Sequence, residues 1–216
     1  MSGRFNYAGR KSTAFPTMDA ITVLVGKSTQ IHAGDVLVLT NNATYSNGVN
    51  LVVRPLLSGD TVTVSNGIAG VALYDMQTDS SANPVNVTSP VTVDARGQII
   101  TQVPSIGFVS PSDPVTGYTK TYIASADSNN LFQAQTATSD VANYYLLNRR
   151  VGITASAATF PSNYFVDDDA AAANAPLIVT NVDASDPQFN SANGGGTVTI
   201  NVVPTFNAIE NGTFFS

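Results

Sequence analysis

The sequence predicts a mainly β protein, with antiparallel β-sandwich or barrel domains, an extended N-terminal arm and one short helix. Short runs rich in Val, Ile and Thr recur roughly every ten residues, and Gly, Asn and Asp separate them. Residues 197–203 also alternate as a half-buried strand does, with Val198, Ile200 and Val202 on one face and Thr197, Thr199 and Asn201 on the other.

The first half is divided into an arm and a β-rich domain. Residues 1–18 mix Gly, Arg, Ser, Thr and Pro without a periodic pattern, which predicts the extended arm. Residues 19–112 are predicted to form the first β-rich domain. Its strands are expected at 21–25, 36–40, 49–53, 61–64 and 68–74, followed by short or edge strands at 85–87, 91–93, 99–103 and 106–109, where prolines are frequent.

Two Asn-Gly pairs predict hairpin turns in this first domain. Asn66 and Gly67 stand between two β-branched runs, and this dipeptide favours the two positive φ angles of a type I′ turn. Asn47 and Gly48 form the second pair.

Residues 113–216 are predicted to form a second β-rich domain. Its strands are expected at 118–123, 131–135, 177–182 and 197–203, and Gly194 to Gly196 read as the flexible tip of a long hairpin. Ser139 and Asp140 precede apolar residues at helical spacing, which predicts a capped short helix near 140–148.

The composition favours a protein that works within an assembly. Charged residues make up 11% of the 216 residues, against about 25% in an average soluble domain. A surface of hydroxyls and amides carries little of the repulsion that holds free monomers apart. The net charge is −6 and the Lys and Arg residues are thinly spread, so no nucleic-acid partner is predicted. The aliphatic runs are too short to cross a bilayer, so neither a membrane partner nor a secretion signal is predicted.

No catalytic, cofactor or metal site is predicted. His32 beside Asp35 is the one pair that suggests a general base, but a structural role near a turn is favoured because there is no second His and no Cys. Asp167, Asp168 and Asp169 lack the spacing of a calcium loop and are interpreted as a solvated loop. The chain is therefore predicted not to be an enzyme.

The arm is the predicted partner-binding segment, because a basic and aromatic terminus can become ordered on an acidic surface. Its candidate contact residues are Arg4, Phe5, Tyr7, Arg10 and Lys11. Phe214 and Phe215 near the other end are further candidates for anchoring on a neighbour.

Several segments, taken in order, resemble the head decoration or cement proteins of tailed bacteriophages, of the type found as structural proteins of short-tailed phages. They are the opening Met-Ser-Gly-Arg-Phe-Asn-Tyr, the Ala-Gly-Asp-Val-Leu-Val-Leu of residues 33–39, the Gly-Ile-Ala-Gly-Val-Ala-Leu-Tyr-Asp of 67–75, the Asp-Ser-Asn-Asn-Leu-Phe-Gln-Ala-Gln of 127–135, the Val-Ala-Asn-Tyr-Tyr of 141–145, the Pro-Leu-Ile-Val of 176–179 and the run 197–206. The resemblance covers most of the chain.

The resemblance implies a structural virion protein on the outer surface of an assembled capsid, made in the host cytoplasm. It implies the major capsid protein as partner, a trimer as the oligomeric state, stabilisation by bridging neighbouring capsid subunits, and no catalytic residues. The alternative interpretation is a tail, fibre or adhesion domain that binds carbohydrate on the host surface.

Overall fold

The structure, a computed structural model, describes residues 3–11, 20–40, 51–73, 75–81, 118–127, 129–157, 162–213 and 215. This part of the chain is mainly β, which confirms the predicted fold class. Its strands are β1 (Asn6–Arg10), β2 (Ala20–Val25), β3 (Gln30–Ile31), β4 (Val36–Leu39), β5 (Val52–Pro55), β6 (Ile68–Ala72), β7 (Met76–Gln77), β8 (Thr119–Ser125), β9 (Asn130–Gln135), β10 (Arg150–Ala155), β11 (Tyr164–Asp167), β12 (Leu177–Val182) and β13 (Thr197–Val202). The helical elements are three 3-10 turns (Tyr144–Leu146, Ala172–Asn174 and Pro204–Phe206) and the short helix α1 (Ala208–Asn211).

Seven predicted strands are confirmed, with boundaries shifted by up to two residues: β2, β4, β6, β8, β9, β12 and β13. The predicted strand at 49–53 overlaps the later β5, and the strand predicted at 61–64 is wrong, because these residues enter a turn. β1, β3, β7, β10 and β11 were not predicted as strands. The strands predicted between residues 85 and 109 and the Asn47-Gly48 turn lie outside the described residues.

Five strands close into a barrel in the order β2-β5-β4-β6-β8. β2 pairs with β5 in parallel, and the other neighbouring pairs are antiparallel. Every residue of β4 and β6 is buried, in agreement with their continuous apolar sequences. Gly70 allows β6 to approach β8 closely, because a Cβ there would collide with the carbonyl oxygen of Ala124.

Strand β4 contributes to two cores, because successive side chains point to opposite faces of a strand. Leu37 and Leu39 belong to the barrel cluster. Val36 and Val38 belong instead to a larger cluster that also contains residues of the other sheet. That larger cluster includes Ile68 and Val71 from the barrel and Phe132, Val151, Leu177 and Ile200 from beyond it. The larger cluster therefore belongs to both β units, while the smaller one lies within the barrel.

The second unit is a six-stranded sheet in the order β1-β9-β13-β12-β10-β11. Its neighbouring strands are all antiparallel. The sheet curls so that its ends meet: Val166 of β11 bridges to Thr136, just after β9. The backbone N–H of Tyr164 also donates to the carbonyl of Gly3, just before β1, at 2.6 Å.

Two strand pairs join neighbouring stretches of the chain in the two units. β1 pairs with β9 in the second sheet, where Arg10 lies opposite Asn130, and β2 pairs with β8 in the barrel, where Ala20 lies opposite Ala124. Strand assignment therefore differs from the predicted domains. Strand β1, predicted as arm, belongs to the second sheet, and β8, predicted to follow the boundary at 112/113, belongs to the first barrel. The reason is that strands pair across the predicted domain boundary, and the composition of the chain does not encode such pairing.

The predicted type I′ hairpin at Asn66 and Gly67 is wrong. Neither Asn66 nor Gly67 has a positive φ angle. The turn lies two residues earlier, where Thr63 bridges Asn66 and the Asn66 side chain accepts a hydrogen bond from the Thr63 N–H at 2.8 Å. Gly67 serves close packing instead, because a Cβ there would meet the Phe206 carbonyl.

The predicted helix and glycine tip also need correction. The helix near 140–148 is a single 3-10 turn, capped by the Asn143 side chain rather than by Ser139 or Asp140. Gly194 to Gly196 are buried rather than a solvated tip. Gly194 and Gly195 have φ angles of +63° and +81°, and the Gly195 N–H donates to Thr136 Oγ1 at 3.0 Å.

Candidate functional site

Residues 3–11, which we call the strap, are built into the fold rather than extending from it. The Phe5 N–H donates to the Gly34 carbonyl of the first barrel at 3.0 Å, and the Lys11 N–H donates to Asn129 at 2.9 Å. Between them, β1 lies along β9 of the second sheet. The strap thus connects the turn before β4 to the second unit.

The charged end of the strap meets a turn of the first barrel. Arg4 forms an ion pair with Asp35, whose carboxylate is fully buried. The other Asp35 oxygen accepts a hydrogen bond from the His32 backbone N–H at 2.8 Å. The turn thereby holds the carboxylate that pairs with Arg4 in a position shielded from water.

The His32 ring faces a different carboxylate from the one that the sequence suggests. Its Nδ1 lies 3.6 Å from Asp75 Oδ1, which also accepts the Ala33 N–H at 2.8 Å. The His32 contact and the Ala33 hydrogen bond hold the pKa of Asp75 below its usual range, against the opposing effect of burial. Gln30 lies 3.1 Å from His32 Nε2. The ring is thus held between Gln30 and Asp75 beside the strap.

The aromatic residues of the strap pack inward. Phe5 is 2% exposed and lies edge-on to Tyr164 at 6.4 Å, and half-buried Tyr7 lies edge-on to Phe132 at the same distance. The expectation that Phe5 anchors the chain on a neighbour is therefore wrong, because its ring already fills the core. Phe215, expected to anchor likewise, is 6% exposed.

The two remaining candidate cations lie at the other end of the strap. Arg10 is half-buried in β1. Lys11 is exposed, and its ammonium donates to the buried Asn201 side chain at 2.6 Å. Of the five predicted contact residues, Lys11 alone is exposed.

Asp140 lies beside the acidic loop, a proximity that the sequence did not reveal. Carboxylate oxygens of Asp140, Asp168 and Asp169 lie within 4.8 Å of one another. Burial, followed by the charges of Asp140 and Asp169, raises the pKa of Asp168. Both oxygens of Asp140 accept hydrogen bonds, from the Ser139 hydroxyl and the Asp168 N–H. Three carboxylates fall short of the six to eight oxygens that calcium takes, so the protein's own donors are the simpler account of this cluster.

A cavity opens on the first barrel. Its volume is about 460 Å³, and its lining consists of Gly26, Lys27, Thr29, Thr40, Val52, Val53, Arg54 and Tyr118. Arg54 is engaged there with Asp60 through two hydrogen bonds of 2.6 and 2.9 Å, and its guanidinium lies 5.4 Å from the Phe215 ring centre. Lys27 is exposed at the rim.

Two tyrosines stand out on the second unit. Tyr144 is 60% exposed and Tyr145 is 84% exposed, whereas most large hydrophobic side chains of the described residues are buried or half-buried. The sequence had placed these rings on a helix. The signal that could have identified the exposed pair is two adjacent tyrosines beside Asn143, a residue that favours the cap of a turn.

No helix in the described part of the chain is long and apolar enough to cross a membrane. Compared with protein family models, with curated proteins and with solved structures, the chain finds no match.

Proposed function

We propose that this chain is a structural virion protein that binds the outer surface of an assembled phage capsid and stabilises it by bridging neighbouring major capsid subunits. The proposal takes the protein to act as a homo-oligomer, a trimer, and not as an enzyme. Its mechanism is multivalent contact, in which many copies placed by symmetry add up to tight binding without one strong site.

The observation that carries this proposal is the chemistry of the exposed surface. Among the exposed described positions, Ser, Thr, Asn and Gln outnumber charged residues. Most apolar side chains of the described residues are buried in core clusters, and the larger cluster extends across both β units. Hydroxyl and amide groups lose less solvation free energy than charged groups when another protein covers them, so such a surface suits contact over a broad area.

The strap supports the stabilising role in an unexpected way. The sequence predicts an arm that contacts a partner, whereas the observed strap ties the two β units of the chain together. Contacts between the two β units suit a protein that stabilises a shell, because a protein that deforms easily cannot hold neighbouring subunits in place. The contacts with the capsid are accordingly assigned to the surface outside the strap.

Binding to capsids tests the proposal. Shells lacking this protein are incubated with the purified chain and sedimented, and the bound copies are counted. We expect saturable binding at positions that repeat with the shell symmetry, and a higher temperature of capsid disruption. Absence of binding, or binding without a gain in capsid stability, contradicts the proposal.

The cavity favours a second candidate, a tail or fibre domain that binds host carbohydrate. Its volume falls in the range of small-ligand sites, about 300 to 1,000 Å³. Lys27, Thr29 and Tyr118 line it with groups that can bond sugar hydroxyls. A glycan array probed with the wild type and with Lys27→Ala tests this candidate; binding that depends on Lys27 favours it over the capsid.

A further inference from the structure

The described part of the chain contains three Asn-Gly pairs, at residues 66–67, 193–194 and 211–212. An asparagine that precedes a glycine is open to spontaneous deamidation, because glycine has no Cβ to hinder the approach of its backbone nitrogen to the asparagine side chain. The reaction requires that this nitrogen and the side-chain amide are free at the same time and close together. The hydrogen bonds of each pair therefore decide where deamidation occurs in the folded protein.

In the first pair, both reacting groups are held. The Asn66 side-chain oxygen accepts hydrogen bonds from the Thr63 N–H, at 2.8 Å, and from the Thr63 hydroxyl. The Gly67 N–H donates to Thr213 Oγ1 at 3.3 Å, and Gly67 is buried against the Phe206 carbonyl. Attack at Asn66 therefore requires several contacts to break together.

The pair at the end of α1 is held in the same way. The Asn211 side-chain amide donates to the Pro204 carbonyl at 2.9 Å. The Gly212 N–H donates to the Ala208 carbonyl and so caps the helix. Both members of this pair are exposed. Nevertheless, the amide and the attacking nitrogen each have a partner.

Asn193 differs because its side chain is free. It is exposed, and within the described residues its side-chain amide makes no hydrogen bond, while its backbone N–H donates to Ser191 Oγ at 3.2 Å. The Gly194 N–H donates to the Ser191 carbonyl at 3.1 Å, across a turn whose central residues, Ala192 and Asn193, are exposed. Solvent-exposed backbone hydrogen bonds of this kind open at low free energy. Opening of this one turn frees both reacting groups.

We propose that Asn193 is a site of spontaneous deamidation in the folded protein. The backbone nitrogen of Gly194 attacks Cγ of Asn193, so that a new N–Cγ bond forms and the Cγ–Nδ2 bond breaks. Nδ2 leaves as ammonia and takes the proton from the Gly194 nitrogen. Water then opens the cyclic imide at either of its carbonyls, which yields aspartate or isoaspartate. The reaction needs only water, and the proposal does not rest on the proposed function.

The surroundings of Asn193 indicate what the modification does. Both products add a negative charge to a chain whose net charge is −6. Isoaspartate also lengthens the main chain by a methylene group, next to the buried segment 194–196. A Cβ on Gly194 would collide with the Ala137 carbonyl, and the Gly195 N–H donates to Thr136 Oγ1 at 3.0 Å. A longer main chain disturbs this packing, so the isoaspartate form should unfold at a lower temperature than the unmodified protein.

Ageing of the full-length protein tests the proposal. The protein is kept in mildly alkaline buffer, where the attacking nitrogen loses its proton more readily, and is then digested with trypsin and a protease that cleaves after glutamate. Cleavage after Glu210 separates Asn193 from Asn211. Mass spectrometry measures the conversion of each asparagine, and enzymatic methylation identifies isoaspartate. A parallel sample in urea gives the rates without the fold, and Asn193→Gln is the matched variant because glutamine forms the corresponding ring much more slowly.

The rates decide the outcome. In the folded protein we expect conversion of Asn193 to be at least about fivefold faster than that of Asn66 or Asn211, because each of those needs at least one further hydrogen bond to break. In urea the three rates should converge, and Asn193→Gln should remove the acidic product from the fragment 151–210.

Three results would overturn the proposal. The first is conversion of Asn66 or Asn211 in the folded protein at a rate equal to that of Asn193 or higher. The second is conversion of Asn193 in urea but not in the folded protein. The third is a difference between the three sites that is equally large in urea, because the local sequence and not the fold would then explain it.

Discussion

Arg4 and Asp35 form an ion pair that ties the strap to the turn before β4. Asp35 is fully buried and the Arg4 side chain is 18% exposed. The pKa of Arg4 is lowered, because the effect of burial outweighs the opposing electrostatic effects of Tyr164 and Asp75. A pair in this position costs much desolvation, so its chief effect is to penalise any arrangement in which one partner remains alone.

A double-mutant cycle measures this coupling. Arg4→Met leaves the Asp35 carboxylate buried without its cation, and we expect a loss of about 3 kcal/mol in the free energy of unfolding. Asp35→Asn leaves a half-buried guanidinium without its anion. Urea unfolding of both variants and of the double variant should show a double loss well below the sum of the single losses. Additive losses would mean that the two charges are not coupled.

The burial of Phe5 predicts a strap that is part of the folded core. Phe5→Ala should lower the free energy of unfolding by about 3 kcal/mol, because it opens a cavity beside Tyr164. Asn6→Ser, at an exposed neighbouring position in β1, is the control and should change it by less than about 0.5 kcal/mol. Equal small effects would indicate an arm detached in solution. For the same reason, deletion of the strap tests folding before it tests binding.

The Arg54–Asp60 pair predicts a loss of stability in acid. Burial raises the pKa of Asp60, but hydrogen bonds from Arg54 and from the Leu57 N–H outweigh it, so the net pKa is lowered. A carboxyl with a lower pKa in the folded state stabilises the fold above its unfolded pKa of about 4. That stabilisation is lost as the pH falls through the folded-state pKa.

Asp60→Asn should therefore cost roughly 1 to 3 kcal/mol in the free energy of unfolding at about pH 7 and much less at about pH 2. Urea unfolding of the wild type and the variant at both pH values provides the measurement. A difference that is independent of pH would show that the Asp60 charge does not stabilise the fold.

For Asp168 we expect stability to depend on pH in the opposite direction. Its pKa is raised, by burial first and then by Asp140 and Asp169. A carboxyl whose folded pKa is raised destabilises the fold above that pKa, and the penalty disappears as the pH falls below the unfolded value. Asp168→Asn should raise the midpoint of thermal unfolding near neutral pH by a few degrees at most, and by less in acid.

Glu210→Gln, which removes the same charge from an exposed position in α1, is the control. A decrease in the midpoint for Asp168→Asn alone would indicate that the carboxylate serves the structure, for example as a cation ligand.

The sequence predicts the strands whose burial is regular and misses what depends on distant partners. β13 was predicted because Val198, Ile200 and Val202 alternate with polar residues, and all three are buried. β12 was predicted because residues 177–182 form a short run rich in β-branched side chains. β1, with Gly9 in a positive φ conformation and mixed burial, carries no such pattern and becomes a strand only because β9 lies beside it. Tyr144 and Tyr145 were assigned to a helix because spacing does not distinguish a buried aromatic face from an exposed turn.

The candidate site illustrates the same limit. Arg4 and Lys11 are predicted to contact a partner protein, but the contacts that the structure shows for them are with Asp35 and Asn201, elsewhere in the chain. Asp140 joins the acidic loop through the fold alone, since 28 positions separate it from Asp168. Pairs of this kind depend on the whole tertiary structure, so they cannot be identified from local patterns in one sequence.

The shared core has a consequence for biosynthesis. Lys11 and Asn201 are 190 positions apart, so that contact cannot form on the ribosome until most of the chain has been translated. Until then, the outer face of β4 and β6 has no second sheet to cover it. Folds with such distant pairings close slowly, and the half-made protein is exposed to misassociation during that interval. The nascent chain therefore depends on rapid completion or on chaperone protection.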